Sequence, residues 1–335
     1  SHIEDPDRHR AAVEPHRGVT GPCQPPLLVA IAGPTGVGKT GVAIELAGLL
    51  RQRGEDPVAI NCDAIQVYEG LAILSGAPGP MERAELEHRL TGFVPVDEEF
   101  SAGRYARRAR EEIDLLLGEG RRPLVVGGTG LYQRAALSEM DLRPPVPPET
   151  RAEVDAEIER DGLEAVYARL PESVRASVHE NDRLRVARAT ELLRMGEDPA
   201  PDHEGGGELW TAQLRRPGLI FGITESDEVL RARVEARVEE MAAHGADQEA
   251  RLAATAGASR TARAAIGFEE FQQGDLETVV RKHLRYGKRQ MTWLRRTGGV
   301  TVIERSGRDD AEVAAALLEA VDRAEGALHE PREDG

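Results

Sequence analysis

Residues Gly33-Pro34-Thr35-Gly36-Val37-Gly38-Lys39-Thr40 read G-x-x-x-x-G-K-[ST], a spacing that works only where a strand hands over to a helix. The physical demand is specific. Glycines let successive backbone N–H groups curl round phosphate oxygens, and the helix N-terminus adds its positive dipole end. Lys39 contributes a point charge, and the Thr40 hydroxyl can ligate Mg²⁺. The flanks supply the context: Leu27-Leu28-Val29-Ala30-Ile31-Ala32 is a short apolar run suited to a buried parallel strand, and Val42, Leu46, Leu49 and Leu50 then recur at helical spacing. The loop by itself specifies a phosphate or diphosphate. It does not separate a kinase, an ATPase and a transferase.

The alternation of strand and helix continues. Segments 57–60, 124–126, 219–221 and 300–303 read as four more strands among helix-prone stretches. This predicts an α/β fold with a parallel sheet covered on both faces and ligands beyond the carboxyl ends of the strands, over residues 27–140 and 216–305. Between 141 and 215 the strand pattern stops. A linker, Arg143-Pro144-Pro145-Val146-Pro147-Pro148, opens charged, helix-prone sequence to about Arg194, and 196–207 reads as a loop with Pro199, Pro201 and three consecutive glycines. We expect a mainly helical insertion there. Residues 1–26, rich in charge, His and Pro, read as a disordered leader. Residues 306–335 read as an acidic helix or tail, with nine Asp/Glu against two Arg after Arg308, so that much of the chain's negative charge is expected to be peripheral.

Charge complicates the choice of partner. The 335 residues carry 59 Asp+Glu against 43 Lys+Arg, a formal net charge of -16, which argues against a polyanionic partner or an anionic membrane. No apolar run approaches the roughly 18–20 residues that span a bilayer, and we expect a soluble protein. Cys23 and Cys62 make neither a disulfide framework nor a multi-cysteine zinc site, and a reducing cytoplasm fits them best. Yet Arg281, Lys282, Arg285, Lys288, Arg289, Arg295 and Arg296 occur with no intervening acid, within an arc of about 140° on one helix. Leu276, Val280, Leu284, Gly287, Met291 and Leu294 take a separate arc of about 80°. A charge run is usually a solvated face. On so acidic a chain, a one-sign face bordered by Tyr286 and Trp293 points instead to contact with a phosphate backbone.

Two other residues carry chemistry. The second strand ends Asn61-Cys62-Asp63, which puts Asp63 at the carboxyl edge of the sheet as a general base, a helix cap or an orienter of Mg²⁺, alternatives that spacing leaves open. On the helix expected from about 227 to 243, Leu230, Val234, Val238 and Met241 form the apolar stripe, and Arg237 borders it. A guanidinium there is in an ion pair, snorkels to solvent or faces an anionic ligand, and on this pattern alone the first two are favoured. Arg233 reads as structural. The third strand offers no acidic Mg²⁺ partner, since it runs into Gly127-Gly128-Thr129-Gly130-Leu131-Tyr132.

Together these blocks resemble the tRNA dimethylallyltransferases, also called tRNA isopentenyltransferases. The resemblance rests on Gly33 to Thr40, Asp63-Ala64-Ile65-Gln66-Val67-Tyr68, Gly127 to Tyr132, Asn181-Asp182 with Arg185 and Arg188, Ala265-Ile266-Gly267-Phe268, and Lys288-Arg289-Gln290-Met291-Thr292-Trp293-Leu294-Arg295. It spans residues from about 27 to 305 in the family's order. It implies a P-loop NTPase-like core with a helical insertion that grips the tRNA anticodon stem-loop, a cytoplasmic and monomeric enzyme, and transfer of a dimethylallyl group from dimethylallyl diphosphate to N6 of adenine 37. On that resemblance Asp63 is the general base, and residues 33–40 hold the diphosphate, with Thr35, Lys39 and Thr40 foremost and Thr40 on Mg²⁺. Arg237 stabilises the leaving diphosphate, reversing the preference reached from the pattern. Gln66 contacts the target base or its neighbour, and Arg285, Lys288, Arg289 and, more weakly, Arg185 contact tRNA.

Departures from the family pattern fall in the binding details. The block Leu74-Ser75-Gly76-Ala77-Pro78 has Ser75 where threonine is usual and Ala77 where lysine is usual. Paired histidines reduce to His88, and an arginine becomes Leu284. Transfer onto free adenine nucleotides, the runner-up reading, needs neither the insertion nor the basic helix. A small-molecule P-loop kinase has no use for the 288–293 block.

Overall fold

The structure, a computed structural model, describes residues 25–139, 144, 146–199 and 212–329. The expected leader therefore falls almost entirely outside the described residues, as do most of the loop at 196–207 and the chain's last six residues.

Six parallel strands form one sheet in the order β3-β2-β4-β1-β5-β6. They are β1 Leu28–Ala32, β2 Pro57–Asn61, β3 His88–Arg89, β4 Arg122–Val126, β5 Gly218–Thr224 and β6 Val300–Glu304. Five were expected. β3 was not, because its two residues, opposite Ala59 and Ile60, are too short for any periodicity to register. All five residues of β1 are buried, as a central parallel strand with both faces covered requires. β1 lies between β4 and β5, with Val29 opposite Leu124 and Leu219. The chain leaves β1 toward one edge of the sheet and returns to build the other, so the loop after β1 lies at the topological switch point where α/β folds open a crevice.

The helix Lys39–Arg51 buries Val42, Ala43, Leu46, Ala47 and Leu50 against one face of the sheet. Beside it lies Asp310–His329: of the acidic helix or tail expected here the helix is present, but its peripheral placement is corrected. Val313, Ala314, Leu317 and Val321 are fully buried in the same cluster. The high acid content of the terminus as a whole, and not the apolar run 313–321 itself, prompted the peripheral reading. Those acids are themselves used: Asp322 pairs with Arg53, Glu325 with the buried Arg122, and Asp310 with the buried Arg305.

Residues 148–194 are mainly helical, in Pro148–Asp161, Leu163–Ala168, Glu172–Arg175 and Arg183–Arg194. They close round a small core of their own, including Val154, Ile158, Val166, Leu170, Val174 and Val186.

The basic helix, Leu276–Arg296, also departs from expectation. Its buried face is Val279, His283, Gly287, Gln290 and Leu294, while Leu276, Val280, Leu284 and Met291 are only half-buried. The buried arc is rotated by about 60° from the apolar one. The cause is that two neighbours share the helix. The apolar flank meets Asp227–Ala243, where Val238 joins Leu276, Val280 and Leu284 along a groove, while His283 and Gln290 turn toward the crevice at the switch point. All seven basic residues remain exposed.

Candidate active site

The phosphate loop is shaped by what presses on it. Gly33, Gly36 and Gly38 have φ of 156°, 81° and 90°. A Cβ on Gly33 would lie 2.6 Å from the Ile223 carbonyl oxygen, and one on Gly38 would lie 2.6 Å from Nη1 of Arg305. Arg305, 5 % exposed, donates to the Val37 carbonyl at 2.9 Å and ties β6 to the loop. Pattern reading missed it, since a lone arginine after a strand carries no signal. Arg233 reaches the same carbonyl at 3.4 Å, as its structural reading anticipates. Lys39 Nζ donates to the carbonyls of Gly33 and Pro34, both at 3.0 Å, and so holds the loop closed. Burial pushes the Lys39 ammonium down to about 8, against the pull of Asp63 and with a further push from Arg237.

Gln290 joins the loop to the next strand end. Its Oε1 accepts from Thr35 N at 2.8 Å, and its Nε2 donates to the Gly128 carbonyl at 3.0 Å. This explains why the Gly127–Gly130 turn carries no carboxylate. A Cβ on Gly127 would lie 2.2 Å from the Cys62 carbonyl oxygen, one on Gly128 2.1 Å from Gln290 Nε2, and one on Gly130 2.4 Å from the Trp293 ring. The glycines let the basic helix dock against the turn.

Asp63 lies at the carboxyl end of β2, where its geometry accommodates both a cap and a group facing the cavity. Its Oδ1 accepts from Ile65 N at 2.9 Å and Gln66 N at 3.4 Å, so it caps the following turn. Oδ2 has no hydrogen-bond partner among the described residues, and Asp63 lines the cavity. Opposite, Thr129 Oγ1 accepts from Ala64 N at 3.1 Å and lies 3.4 Å from the Tyr286 hydroxyl. Burial, and next Asp63, push that phenol up to about 12.

Arg237 stands on the far wall. Its Nη2 donates to the Ser75 carbonyl at 3.2 Å, and among the described residues no carboxylate lies within ion-pair distance. The ion-pair reading from the stripe is therefore corrected: the half-buried Arg237 packs its guanidinium against the Ser75–Gly76 turn, and burial pulls its pKa down. Gly76, at φ 57°, is needed for the approach, since a Cβ there would meet Arg237 Nη2 at 1.8 Å. Gln66 Nε2 donates to the Gly76 carbonyl at 3.1 Å, which commits its amide N–H to this loop.

Thr35, Gly36, Gly38, Lys39, Thr40, Asp63, Gln66, Arg237 and Arg289 line one cavity of about 590 Å³. Arg285 and Lys288 instead line the neighbouring groove. Arg289 lies over the Tyr286 ring, 5.5 Å from its centroid. Arg185 is far off in the insertion, where it faces Asp182 at 3.4 Å, and Arg183 and Arg188 are likewise engaged by acids.

Comparison with known proteins identifies the family. The family model described as IPP transferase matches residues 66–297, and one described as isopentenyl transferase matches 26–91. The tRNA dimethylallyltransferase of Anaeromyxobacter dehalogenans is 38% identical over 293 residues, covering 82% of this chain and 94% of the relative. That of Thermobifida fusca is 34% identical, covering 87% and 94%. Among solved structures, the tRNA isopentenylpyrophosphate transferase of Bacillus halodurans superposes with a TM-score of 0.63 at 27% identity, over 91% of this chain and 99% of that one. Its relatives' fold, a P-loop NTPase-like core, is the fold described above. With a family model covering most of its length and relatives above 30% identity matched nearly end to end, the chain belongs to the IPP transferase family.

Proposed function

We propose that this protein transfers a dimethylallyl group from dimethylallyl diphosphate to N6 of adenine 37 in tRNA. One observation carries the reading: the phosphate loop, the unpartnered Oδ2 of Asp63 and an Arg237 that meets no carboxylate among the described residues converge on one cavity. The family's relatives, named tRNA dimethylallyltransferases, support the same chemistry.

The N6 lone pair attacks C1 of the allylic group as the C1–O bond breaks, and the bonding electrons leave with diphosphate. Asp63 accepts the N6 proton. The backbone N–H groups of Gly36 and of residues 38–40, the Lys39 ammonium and Arg237 face the charge that develops on the leaving oxygens. The donor chemistry fits Mg²⁺: Thr40 offers a hydroxyl oxygen, and no group of three His, Cys, Asp or Glu side chains among the described residues could hold the ion alone. Thr40 would therefore share the ion with diphosphate oxygens and water, and its charge would neutralise part of theirs.

Adenine 37 must leave its stack to enter the cavity, at a cost on the order of a few kcal/mol. The exposed face of Leu276–Arg296 supplies contacts that offset this cost, through Arg285, Lys288 and Arg289, with Arg185 as an outlying contact. Among the described residues no helix is long and apolar enough to cross a membrane, and a monomer acting in the cytoplasm completes the proposal.

The test incubates the protein with Mg²⁺, labelled dimethylallyl diphosphate and either bulk tRNA or AMP. Label should appear on tRNA; label on AMP alone would move the protein to the adenylate isopentenyltransferases. Replacing Arg285 and Arg289 together by Glu should weaken tRNA binding and lower the slope of log affinity against log salt by about 1 per lost phosphate contact. A titration series in KCl reads this directly, and an unaltered slope returns that helix face to the solvent.

A further inference from the structure

His283 lies on the inner face of Leu276–Arg296, one turn before Gly287 and two before Gln290, and is 7 % exposed. It lines the cavity together with Arg237, Tyr286, Ala264 and Ile266. Neither ring nitrogen has a hydrogen-bond partner among the described residues. Gln290, the other buried polar side chain on this face, is the contrast: both its donor and its acceptor are used, so it is satisfied by the fold alone. A buried imidazole with neither nitrogen used is costly unless a ligand completes it.

The neighbour of His283 indicates what that ligand is. Burial, and then the adjacent Arg237, push the imidazole down to about 4, so near neutral pH the ring is uncharged and keeps one N–H. Arg237 is itself without an ion pair among the described residues. An imidazole N–H without an acceptor and a guanidinium without a carboxylate, among the described residues, line the same cavity, and their shared complement is an anion with several acceptor oxygens. A neutral purine would accept a hydrogen bond from His283 but would leave the guanidinium charge unanswered.

We propose that His283 donates a hydrogen bond to a phosphate oxygen of the diphosphate beside Arg237, making it a substrate-binding residue of this chain. The proposal rests on the prenyl-transfer reading of the cavity. It extends the diphosphate cradle across the cavity from the phosphate loop to the basic helix, so that one helix carries tRNA contacts on its outer face and a diphosphate contact on its inner face.

The experiment measures binding of inorganic diphosphate with Mg²⁺, without tRNA, by calorimetry on wild type, His283→Ala and His283→Gln. His283→Ala should weaken diphosphate about tenfold, as loss of a charge-assisted hydrogen bond does. His283→Gln, whose amide keeps an N–H, should retain most of the affinity, and tRNA affinity should be unchanged in both. If wild type itself binds no diphosphate, the prenyl-transfer reading fails. If wild type binds and His283→Ala binds equally well, or loses tRNA affinity instead, only the His283 proposal is overturned. Should the alanine variant not fold, ¹⁵N signals of the His283 ring in the wild-type protein decide: they should shift on adding diphosphate, and constant signals overturn the proposal.

Discussion

Asp63→Asn is expected to cut prenyl transfer by about 10²-fold or more while leaving diphosphate binding nearly intact. The structure makes this substitution unusually clean. Asparagine keeps the Oδ1 acceptor that holds Ile65 N at 2.9 Å and Gln66 N at 3.4 Å, so the turn after β2 survives. What disappears is the second carboxylate oxygen, which no described residue engages, on a side chain that lines the cavity. Asp63→Ala serves as the comparison, because it removes the cap as well and should cost about 1 kcal/mol of stability that asparagine retains. Single-turnover rates together with thermal melts separate the two roles. Undiminished turnover in Asp63→Asn would remove Asp63 as the base and leave it as a cap.

Arg237→Gln carries the second large effect. A donor aimed at charge that develops in the transition state is worth about 10²–10³ in turnover, and Arg237 lines the cavity with a guanidinium that meets no carboxylate among the described residues. Its hydrogen bond to the Ser75 carbonyl, at 3.2 Å, sets the alternative. Were that bond its whole purpose, glutamine would cost about 1 kcal/mol of stability and spare the rate. Turnover in the presence of saturating tRNA, with a melting curve for the same variant, distinguishes these outcomes. A full-rate, slightly destabilised Arg237→Gln would return the residue to holding the Ser75–Gly76 loop.

Much of this architecture was legible in local pattern. A strand buried on both faces declares itself as an apolar run, as β1, β2 and β4 do, whereas the edge strand β6, with no buried residue, was legible only by its β-branched residues. The phosphate loop is equally local, since its glycines, Lys39 and Thr40 act within a few residues of one another. An acidic terminus cannot be read from its net charge, as the helix Asp310–His329 illustrates: Val313, Ala314, Leu317 and Val321 on one side belong to the core although the terminus as a whole is acidic.

Residue order alone established the family, the parallel α/β core, the strand-loop-helix that holds a phosphate, and the one-sided charge of Leu276–Arg296. These are properties of near neighbours in the chain and of periodicity. The assembled fold was needed to show which way that helix faces, that Gln290 is spent on Thr35 and Gly128, that Arg237 meets no acid among the described residues, and that both nitrogens of His283 are unmet there. The reason is physical. Whether a buried polar group is satisfied depends on partners contributed by segments up to hundreds of residues away, and no local pattern records which donors and acceptors the fold leaves over for a ligand.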